Sequence, residues 1–545
     1  MKISTTKARL AALLSTTALV ATVVVGVPTT AQAADPQCAT ASFVTQCGGV
    51  GSDGSKYMMI AAANFNGTVF VWSHGIRPNI NIPTAIGPVA AYTITDSAEP
   101  GPLALVGDLS VVNALVAQGY GVAGAGYSRQ SLNAPEALKA NVELIAAFKK
   151  KFPTTKKVVA WGQSLGSLHS QKLAESNPEL VDALVLGCPA ANPGDALLSY
   201  FGDALWGFKA LFNANIKVGG YSTDPVVRQR EQLTNIALVL QVLGELTNGL
   251  TSGAWPSTST PAGKALEAAK VPSRSALLAV GLMAGVPTRS KNVDGTTGPT
   301  GEEQRYPLAI APAVAVLQNM GTIGVAGSLL MADGELLAGG QVYDNSTTDY
   351  AARLEEGRDL WSMALSGNTA VDAILSALKA TPRAKADAKA VAKIPSLIGI
   401  RGAISKPTVI MAAESDEYTP ASVAQWYVDN YNAAYETALD AAFEKAVRTG
   451  NYTAPAKNLV MLWEKTSPAY SKFTAEGKPD LTAAAGAGTG HCLFTANQWL
   501  AAAKMAATAA STGKLPGNGA ASVAARKVGL SVDKDFSVPT FKALS

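Results

Sequence analysis

The sequence predicts an α/β fold: a mostly parallel central sheet flanked by helices, with a large, mainly helical insertion. Short apolar strand patterns alternate with amphipathic helix patterns from about residue 57 to residue 188, and again from residue 405 to residue 512. Such alternation is typical of βαβ units, whose strands run parallel. Between these two segments long helical patterns replace the alternation, which indicates the insertion.

The first 33 residues have the composition of a secretion signal. Lys2, Lys7 and Arg9 precede an apolar run over residues 10–27, and the small-residue sequence Ala31-Gln32-Ala33 follows it. We therefore expect cleavage after Ala33 and a secreted or periplasmic mature protein. A retained N-terminal membrane anchor is the alternative, because the apolar run is just long enough to span a bilayer.

The composition indicates a nearly neutral, well-packed globular protein. Removing Lys2, Lys7 and Arg9 from the 44 basic residues leaves 41, against 40 acidic residues. Nucleic-acid binding needs a concentrated basic surface, and neither the net charge nor any group of lysines and arginines in the sequence supplies one, so we expect no nucleic-acid partner. Apolar residues make up 48% of the chain and charged residues 15%, which argues against extensive disorder.

Strand and helix patterns alternate in the segment 34–188, the first part of the predicted core. They predict a hairpin over residues 57–63 and 68–73, a helix over 109–118, a strand over 121–126, a helix over 135–152, a strand over 157–161, a helix over 165–176 and a strand over 181–186.

The segment 189–404 is predicted to be the helical insertion or cap. It contains a stretch without charged residues, 307–331, which we interpret as buried cap helix rather than a membrane span, because Pro312 and several glycines interrupt it. The second part of the core is predicted over 405–512, and residues 513–545 form a C-terminal tail with little pattern. Its elements are predicted as strands over 408–413 and 458–463 and helices over 420–448 and 495–509.

The sequence Gly162-Gln163-Ser164-Leu165-Gly166 matches G-x-S-x-G, with a strand pattern before it and a helix pattern after it. A sharp strand-to-helix turn needs small flanking residues, and it presents the serine hydroxyl above the sheet. Ser164 is therefore the candidate nucleophile. The N–H of Leu165, at the start of the helix, is a candidate oxyanion donor.

A serine hydroxyl needs a base to take its proton, and the chain has three histidines. His169 follows Ser164 by five residues on the same helix, so it points elsewhere and is expected to pack. His74 ends an early strand, where a second oxyanion donor is expected from the backbone of Gly75 or Ile76, with His74 in a supporting role. His491, in a glycine-rich loop before the last helix, is the candidate base.

The base needs a carboxylate that orients it. Asp416 lies in the turn just after the strand over 408–413 and is our candidate, with Glu414 and Glu417 as alternatives. The order Ser164, Asp416, His491 is the order expected of a serine hydrolase built on this kind of sheet.

Four cysteines in an exported chain favour disulfides. Cys38 and Cys47 are close in sequence, which would leave Cys188 and Cys492 as the second pair. Other pairings and unpaired buried thiols remain open at this stage.

On the motifs around Ser164, Asp416 and His491 the chain resembles the α/β-hydrolase superfamily, over residues of roughly 57–190 and 405–512. The pair His491-Cys492 is also similar to tannases and feruloyl esterases, in which a disulfide ties the serine and histidine loops together. Gln163 stands here where those enzymes have cysteine. The resemblance implies that Cys188 could tether Cys492 instead and hold the histidine loop against the sheet.

These residues and the resemblance imply hydrolysis of a carboxylic ester, small or oligomeric, through an acyl-enzyme, with no cofactor and no metal. Two alternatives remain: a serine peptidase acting on short peptides with the same triad, and a hydrolase-like protein that only binds a ligand or the cell wall. Trp206, Phe208 and Trp361 suggest a hydrophobic acyl group, although they would equally form a cap core. The sequence makes no prediction of oligomeric state.

Overall fold

A single nine-stranded sheet forms the centre of the protein, in the order β1-β2-β3-β5-β4-β6-β7-β8-β9. The computed structural model describes residues 35–86, 91–94, 109–191, 195–287, 310–356, 358, 365–466, 486–534, 536, 538 and 541–544. The strands are β1 Gln37–Ala41, β2 Val44–Val50, β3 Lys56–Ala62, β4 Thr68–Ser73, β5 Gly121–Ala125, β6 Lys157–Gln163, β7 Ala183–Gly187, β8 Thr408–Ala413 and β9 Leu459–Glu464. The expected signal peptide lies outside the described residues.

The six strands from β4 to β9 run parallel to one another, whereas the pairs β1–β2, β2–β3 and β3–β5 are antiparallel. The helices are α1 Ser110–Ala117, α2 Ala134–Lys151, α3 Leu165–Ser176, α4 Ala196–Leu211, α5 Pro225–Gly249, α6 Pro261–Ala268, α7 Ser273–Ala284, α8 Ile310–Ala338, α9 Tyr350–Glu355, α10 Asn368–Ala380, α11 Ala388–Val391, α12 Ile394–Ile398, α13 Ala421–Thr449, α14 Ala496–Thr512 and α15 Asn518–Arg526. This arrangement confirms the predicted α/β-hydrolase fold class.

Alternate residues of each buried strand face opposite layers of helices, as the two-residue period of a strand requires. Val69 and Val71 of β4 belong to the core that α2 and α3 cover. Phe70 and Trp72 of the same strand belong to the other core, which α1 and α14 cover. Because both faces are buried, the strand reads as a continuous apolar run rather than an alternating one.

The predicted hairpin of residues 57–63 with 68–73 is wrong. Both strands exist, but β3 pairs with β2 and β5, and β4 lies between β5 and β6. All six residues of β4 are buried, so the strand needs a neighbour on each side, and parallel strands beside it provide them. The segment around Cys38 and Cys47 forms a hairpin of β1 and β2, for which no strands were predicted.

Between β7 and β8 the described residues form helices only, from α4 to α12. Within α8, the segment Ala313–Ala338 is long and apolar enough to cross a membrane by length and composition, but most of it is buried inside the protein. It packs against α4, α5 and α7. Packing against other helices accounts for its apolar composition, as expected for the core helix of a cap.

The C-terminal segment packs on the core, for which its sequence gave little indication. Ser531 forms a backbone bridge with Trp463 of β9, and the ring of Phe536 lies edge-on to the Trp463 ring at 5.3 Å. Further along, Lys542 forms an ion pair with Glu356, which follows α9. The segment therefore runs from the last strand of the sheet to the helical insertion.

Candidate active site

Ser164 occupies a strained turn between β6 and α3. Its φ of 56° and ψ of −127° lie in a region that residues with a side chain rarely adopt. The glycines on either side are required by close approach: a Cβ on Gly166 would overlap the carbonyl oxygen of Ser73, and a Cβ on Gly162 would overlap that of Gly166. The turn therefore has the geometry that the G-x-S-x-G sequence predicts.

The turn is fixed to the neighbouring strand. The N–H of Ser164 donates to the carbonyl of Gly187, at the end of β7, at 2.9 Å. The hydroxyl of Ser167 donates to the carbonyls of Gly162 and Gly187, each at 2.8 Å. Ser164 thus lies beside the carboxyl end of β7.

Asp416 and His491 are in direct contact. His491 Nδ1 lies 2.8 Å from Asp416 Oδ1 and 2.9 Å from Oδ2. The Asp416 carboxylate is buried and also accepts hydrogen bonds from the N–H groups of Tyr418 and Thr419, both at 2.9 Å. These bonds fix the carboxylate, and the carboxylate fixes the imidazole ring.

The charge of Asp416 also changes the acidity of His491. Burial acts to lower the pKa of His491, but the negative charge and hydrogen bond of Asp416, with the nearby Glu417, outweigh it and raise the pKa above its usual value. The imidazolium form is therefore stabilised, as a general base requires when it takes a proton.

Disulfides join Cys38 to Cys47 and Cys188 to Cys492, the pairing that the sequence favoured. Cys188 follows Gly187 directly, so the second disulfide connects the loop of His491 to the strand that contacts Ser164. The sulfur atoms of Cys188 and Cys492 lie within 4.8 Å of a His491 ring nitrogen. Disulfide sulfurs are not thiolates, so this group offers no metal site.

The loop after β4 lies against the nucleophile turn. A Cβ built on Gly75 would come 3.4 Å from the Cβ of Ser164 and from the carbonyl oxygen of Gln163. Leu165 is the first residue of α3, where a backbone N–H has no partner within the helix. Ile76 follows Gly75 and is partly buried. The candidate oxyanion donors Leu165, Gly75 and Ile76 therefore lie on two segments that meet at Ser164.

The other two histidines are buried and uncharged. His74 Nδ1 lies 2.7 Å from the carbonyl of Gly75, and its ring stacks on Tyr127 at 4.2 Å. Burial, with the charge of Arg77, holds the pKa of His74 well below its usual value. Burial also lowers the pKa of His169 to about 3, and that ring packs edge-on to Tyr127. His169 is thus a packing residue, and the His74 ring contacts the backbone of the next residue, Gly75.

Neither alternative acid bonds to the His491 ring as Asp416 does, although Glu417 accepts a hydrogen bond from the His491 backbone. Glu414 accepts from the N–H of Thr466 at 2.7 Å and from its hydroxyl at 2.9 Å, so it fixes a different loop. Glu417 is buried beside Asp416. Burial and the charge of Asp416 raise the pKa of Glu417 to about 7.

Two aromatic residues near the site were not identified from the sequence. The ring of Tyr418 lies 4.8 Å from the imidazole of His491, and the hydroxyl of Tyr200 donates to the carbonyl of Glu417 at 2.7 Å. Tyr200 belongs to α4, the first helix of the insertion. Only Tyr418, two residues after Asp416, had a sequence signal that could have identified it.

The aromatic residues considered for substrate contact are core residues where the structure describes them. Trp206 stacks on Tyr350 at 4.8 Å and donates to the carbonyl of Pro382 at 3.0 Å. Phe208 is fully buried against Phe212. Trp361 lies outside the described residues. The interpretation as cap core therefore holds for Trp206 and Phe208.

No known family model matches the chain, and no curated protein matches its sequence. Solved structures that it resembles include esterases, a lipase and a prolyl endopeptidase. Feruloyl esterase B from Aspergillus oryzae has a TM-score of 0.36 and 12% identity, covering 88% of this chain and 83% of that one. Candida antarctica lipase A has a TM-score of 0.33 and 12% identity, covering 89% and 83%. The rice cell wall degrading esterase LipA from Xanthomonas oryzae has a TM-score of 0.29 and 11% identity, covering 80% and 84%. At these values the likeness assigns no residue roles.

Proposed function

We propose that this protein is an exported serine hydrolase that cleaves carboxylic esters, with Ser164 as nucleophile, His491 as base and Asp416 as orienting acid. The observation that carries the proposal is the bond from His491 Nδ1 to the buried Asp416 carboxylate, in a loop tied by disulfide to the strand beside Ser164. A surface histidine would have no need of such fixation.

In the proposed reaction His491 Nε2 takes the Ser164 proton while Oγ attacks the ester carbonyl. The N–H groups of Leu165 and of Gly75 or Ile76 stabilise the oxyanion. The protonated imidazole then gives its proton to the departing alcohol, which leaves an acyl-enzyme. Water, deprotonated by His491, attacks this ester, and release of the acid restores Ser164.

Two features support export. The signal-like composition of residues 1–33 precedes the described chain, and the two disulfides need an oxidising compartment to form and persist. Mass measurement of the mature protein in the culture fluid or periplasm tests this part, with Ala34 expected at its N-terminus.

A fluorophosphonate probe tests the mechanism. The wild-type protein and Ser511→Ala, a matched change of an exposed serine on α14, should be labelled at equal rates, and Ser164→Ala should not be labelled. Labelling that persists in Ser164→Ala, or no labelling of the wild type, would show that Ser164 is not an activated nucleophile and would favour a ligand-binding role.

A substrate panel separates the two enzymatic classes. We expect turnover of p-nitrophenyl esters and little turnover of aminoacyl p-nitroanilides. The opposite order would assign the site to a peptidase. The acyl chain length that gives the highest kcat/KM would then define the substrate class.

A further inference from the structure

Asp333 is a buried carboxylate within the insertion. It forms its hydrogen bonds with loops of the core and not with the neighbouring helices of the insertion. It belongs to α8, and its exposed fraction is 0%. A buried carboxylate is costly unless hydrogen bonds or a positive charge compensate it. The groups that compensate Asp333 come from two loops at the carboxyl edge of the sheet.

Each loop provides donors to the carboxylate. From the β4 loop, defined as residues 74–82, Asn79 Nδ2 donates to Oδ1 at 3.0 Å. From the β5 loop, defined as residues 126–133, the Arg129 guanidinium donates to Oδ1 at 2.6 Å and the N–H of Leu132 donates to Oδ2 at 3.0 Å. Asp333 therefore joins both loops to α8.

The apolar face of α8 continues this contact. Leu329 lies one helical turn before Asp333 and is buried in a cluster with Ile80 and Ile82 of the β4 loop, and Val325 packs against the same cluster. Residues 325, 329 and 333 follow the four-residue spacing of one helix face. That face thus holds residues 79–82 by apolar packing and by a buried charge together.

The β4 loop is the segment that approaches the nucleophile. Gly75, four residues before Asn79, lies against Ser164. The two loops are also bonded to each other, because the N–H of Ser131 donates to the carbonyl of Arg77 at 3.0 Å. Residues 77–79 are therefore attached both to α8 and to residue 131. Because they directly follow Gly75 and Ile76, a displacement of residues 77–79 would also move these two residues.

We propose that Asp333 is a positioning residue: it anchors the β4 loop to α8 so that the Gly75–Ile76 backbone is held at the oxyanion position beside Ser164. This inference rests on the proposed function. Through Asp333 the insertion contributes to catalysis by fixing the oxyanion donors. An oxyanion donor stabilises developing charge only when it is already in place.

Asp333→Asn is the direct test, and Asp203→Asn is its matched control. Asp203 is likewise a buried carboxylate paired with an arginine, but its partners Arg353, Tyr343 and Tyr350 all belong to the insertion. We expect Asp333→Asn to lower kcat for a p-nitrophenyl ester and the rate of fluorophosphonate labelling by about tenfold to a hundredfold, with KM nearly unchanged. Asp203→Asn should lower the Tm but leave kcat of the folded protein within about twofold of wild type.

Asn79→Ala keeps the Asp333–Arg129 pair and removes only the bond from the β4 loop. We expect kcat to fall by roughly threefold to tenfold, with a smaller loss of Tm than in Asp333→Asn, because Arg129 and Leu132 still bind the carboxylate. If Asp333→Asn does not fold, this variant decides the question. Equal kcat in Asn79→Ala and wild type, or equal losses in folded Asp333→Asn and Asp203→Asn, would overturn the positioning role. Failure of the wild type to react with the probe would instead overturn the proposed function.

Discussion

The imidazole of His491 is held by Asp416 through a single nitrogen that lies 2.8 Å from one carboxylate oxygen and 2.9 Å from the other. An ionised carboxylate can only accept hydrogen bonds, so Nδ1 is the donor in this contact. The neutral ring then has its lone pair on Nε2, the nitrogen that takes the proton of Ser164 in the proposed reaction. Loss of this contact permits the other tautomer.

Asp416→Asn should therefore lower kcat by roughly a thousandfold or more while KM changes little, since the amide N–H can donate to Nδ1 and favour the tautomer with its proton on Nε2, which cannot take a proton from Ser164. Steady-state kinetics on a p-nitrophenyl ester provide the measurement. Asp429→Asn, an exposed acid on α13, is the matched control and should keep wild-type kcat. A loss below tenfold in Asp416→Asn would assign the orienting role to another group.

The pH dependence of the activity should depend on the charged groups around His491. Because only the neutral ring accepts a proton and its pKa is raised, activity should rise with pH through a midpoint above the ordinary histidine value of about 6.5. Glu417 becomes negative as the pH rises through about 7 and then stabilises the imidazolium. Glu417→Gln removes that charge and should move the midpoint to lower pH, by roughly half a unit.

The profile of kcat/KM against pH measures this shift, and Glu436→Gln on the exposed part of α13 is its control. An identical midpoint in Glu417→Gln and wild type would show that the Glu417 charge does not reach the imidazole.

The disulfide between Cys188 and Cys492 joins residues 304 positions apart and holds the loop of His491. Cys492→Ser should reduce the free energy of unfolding by about 2–4 kcal/mol and also lower kcat, because the histidine loop loses its attachment to the sheet. Cys38→Ser opens a link between residues only 9 apart that attaches the exposed strand β1 to β2, and it should leave kcat unchanged. Thermal unfolding and ester turnover measured together test both variants. Unchanged Tm and turnover in Cys492→Ser would refute the proposed role of the disulfide.

The nucleophile turn should not tolerate side chains on its glycines. In Gly166→Ala the new methyl group would overlap the carbonyl of Ser73, so we expect a loss of at least about 2 kcal/mol in stability and no detectable labelling of Ser164. Gly244→Ala, in open space within α5, should be neutral or stabilising by up to about 1 kcal/mol. Normal labelling of Gly166→Ala would mean that the turn has more room than the structure shows.

Local patterns in the sequence were enough to predict the fold class and to select the candidate site residues in their chain order. The helix after Ser164 was predicted over residues 165–176 and the strand before Asp416 over 408–413, and both have these bounds. Such elements can be predicted from sequence because the apolar spacing and the small or capping residues that define them lie within a few positions of one another. The same locality placed Ser164 in the turn between a strand and a helix, and Asp416 and His491 in loops between elements.

Only the tertiary structure decided which separated segments meet. Strand β4 was expected to pair with its neighbour in sequence, yet the structure places β5 between β3 and β4, because pairing is set by burial of both sheet faces and not by proximity in sequence. The contact of Asp333 with Asn79, 254 residues earlier, had no local signal at all. The sequence thus determined the elements and the chemical groups. How those groups are held depends on the packing of the insertion on the β4 loop, which is a sum of long-range contacts.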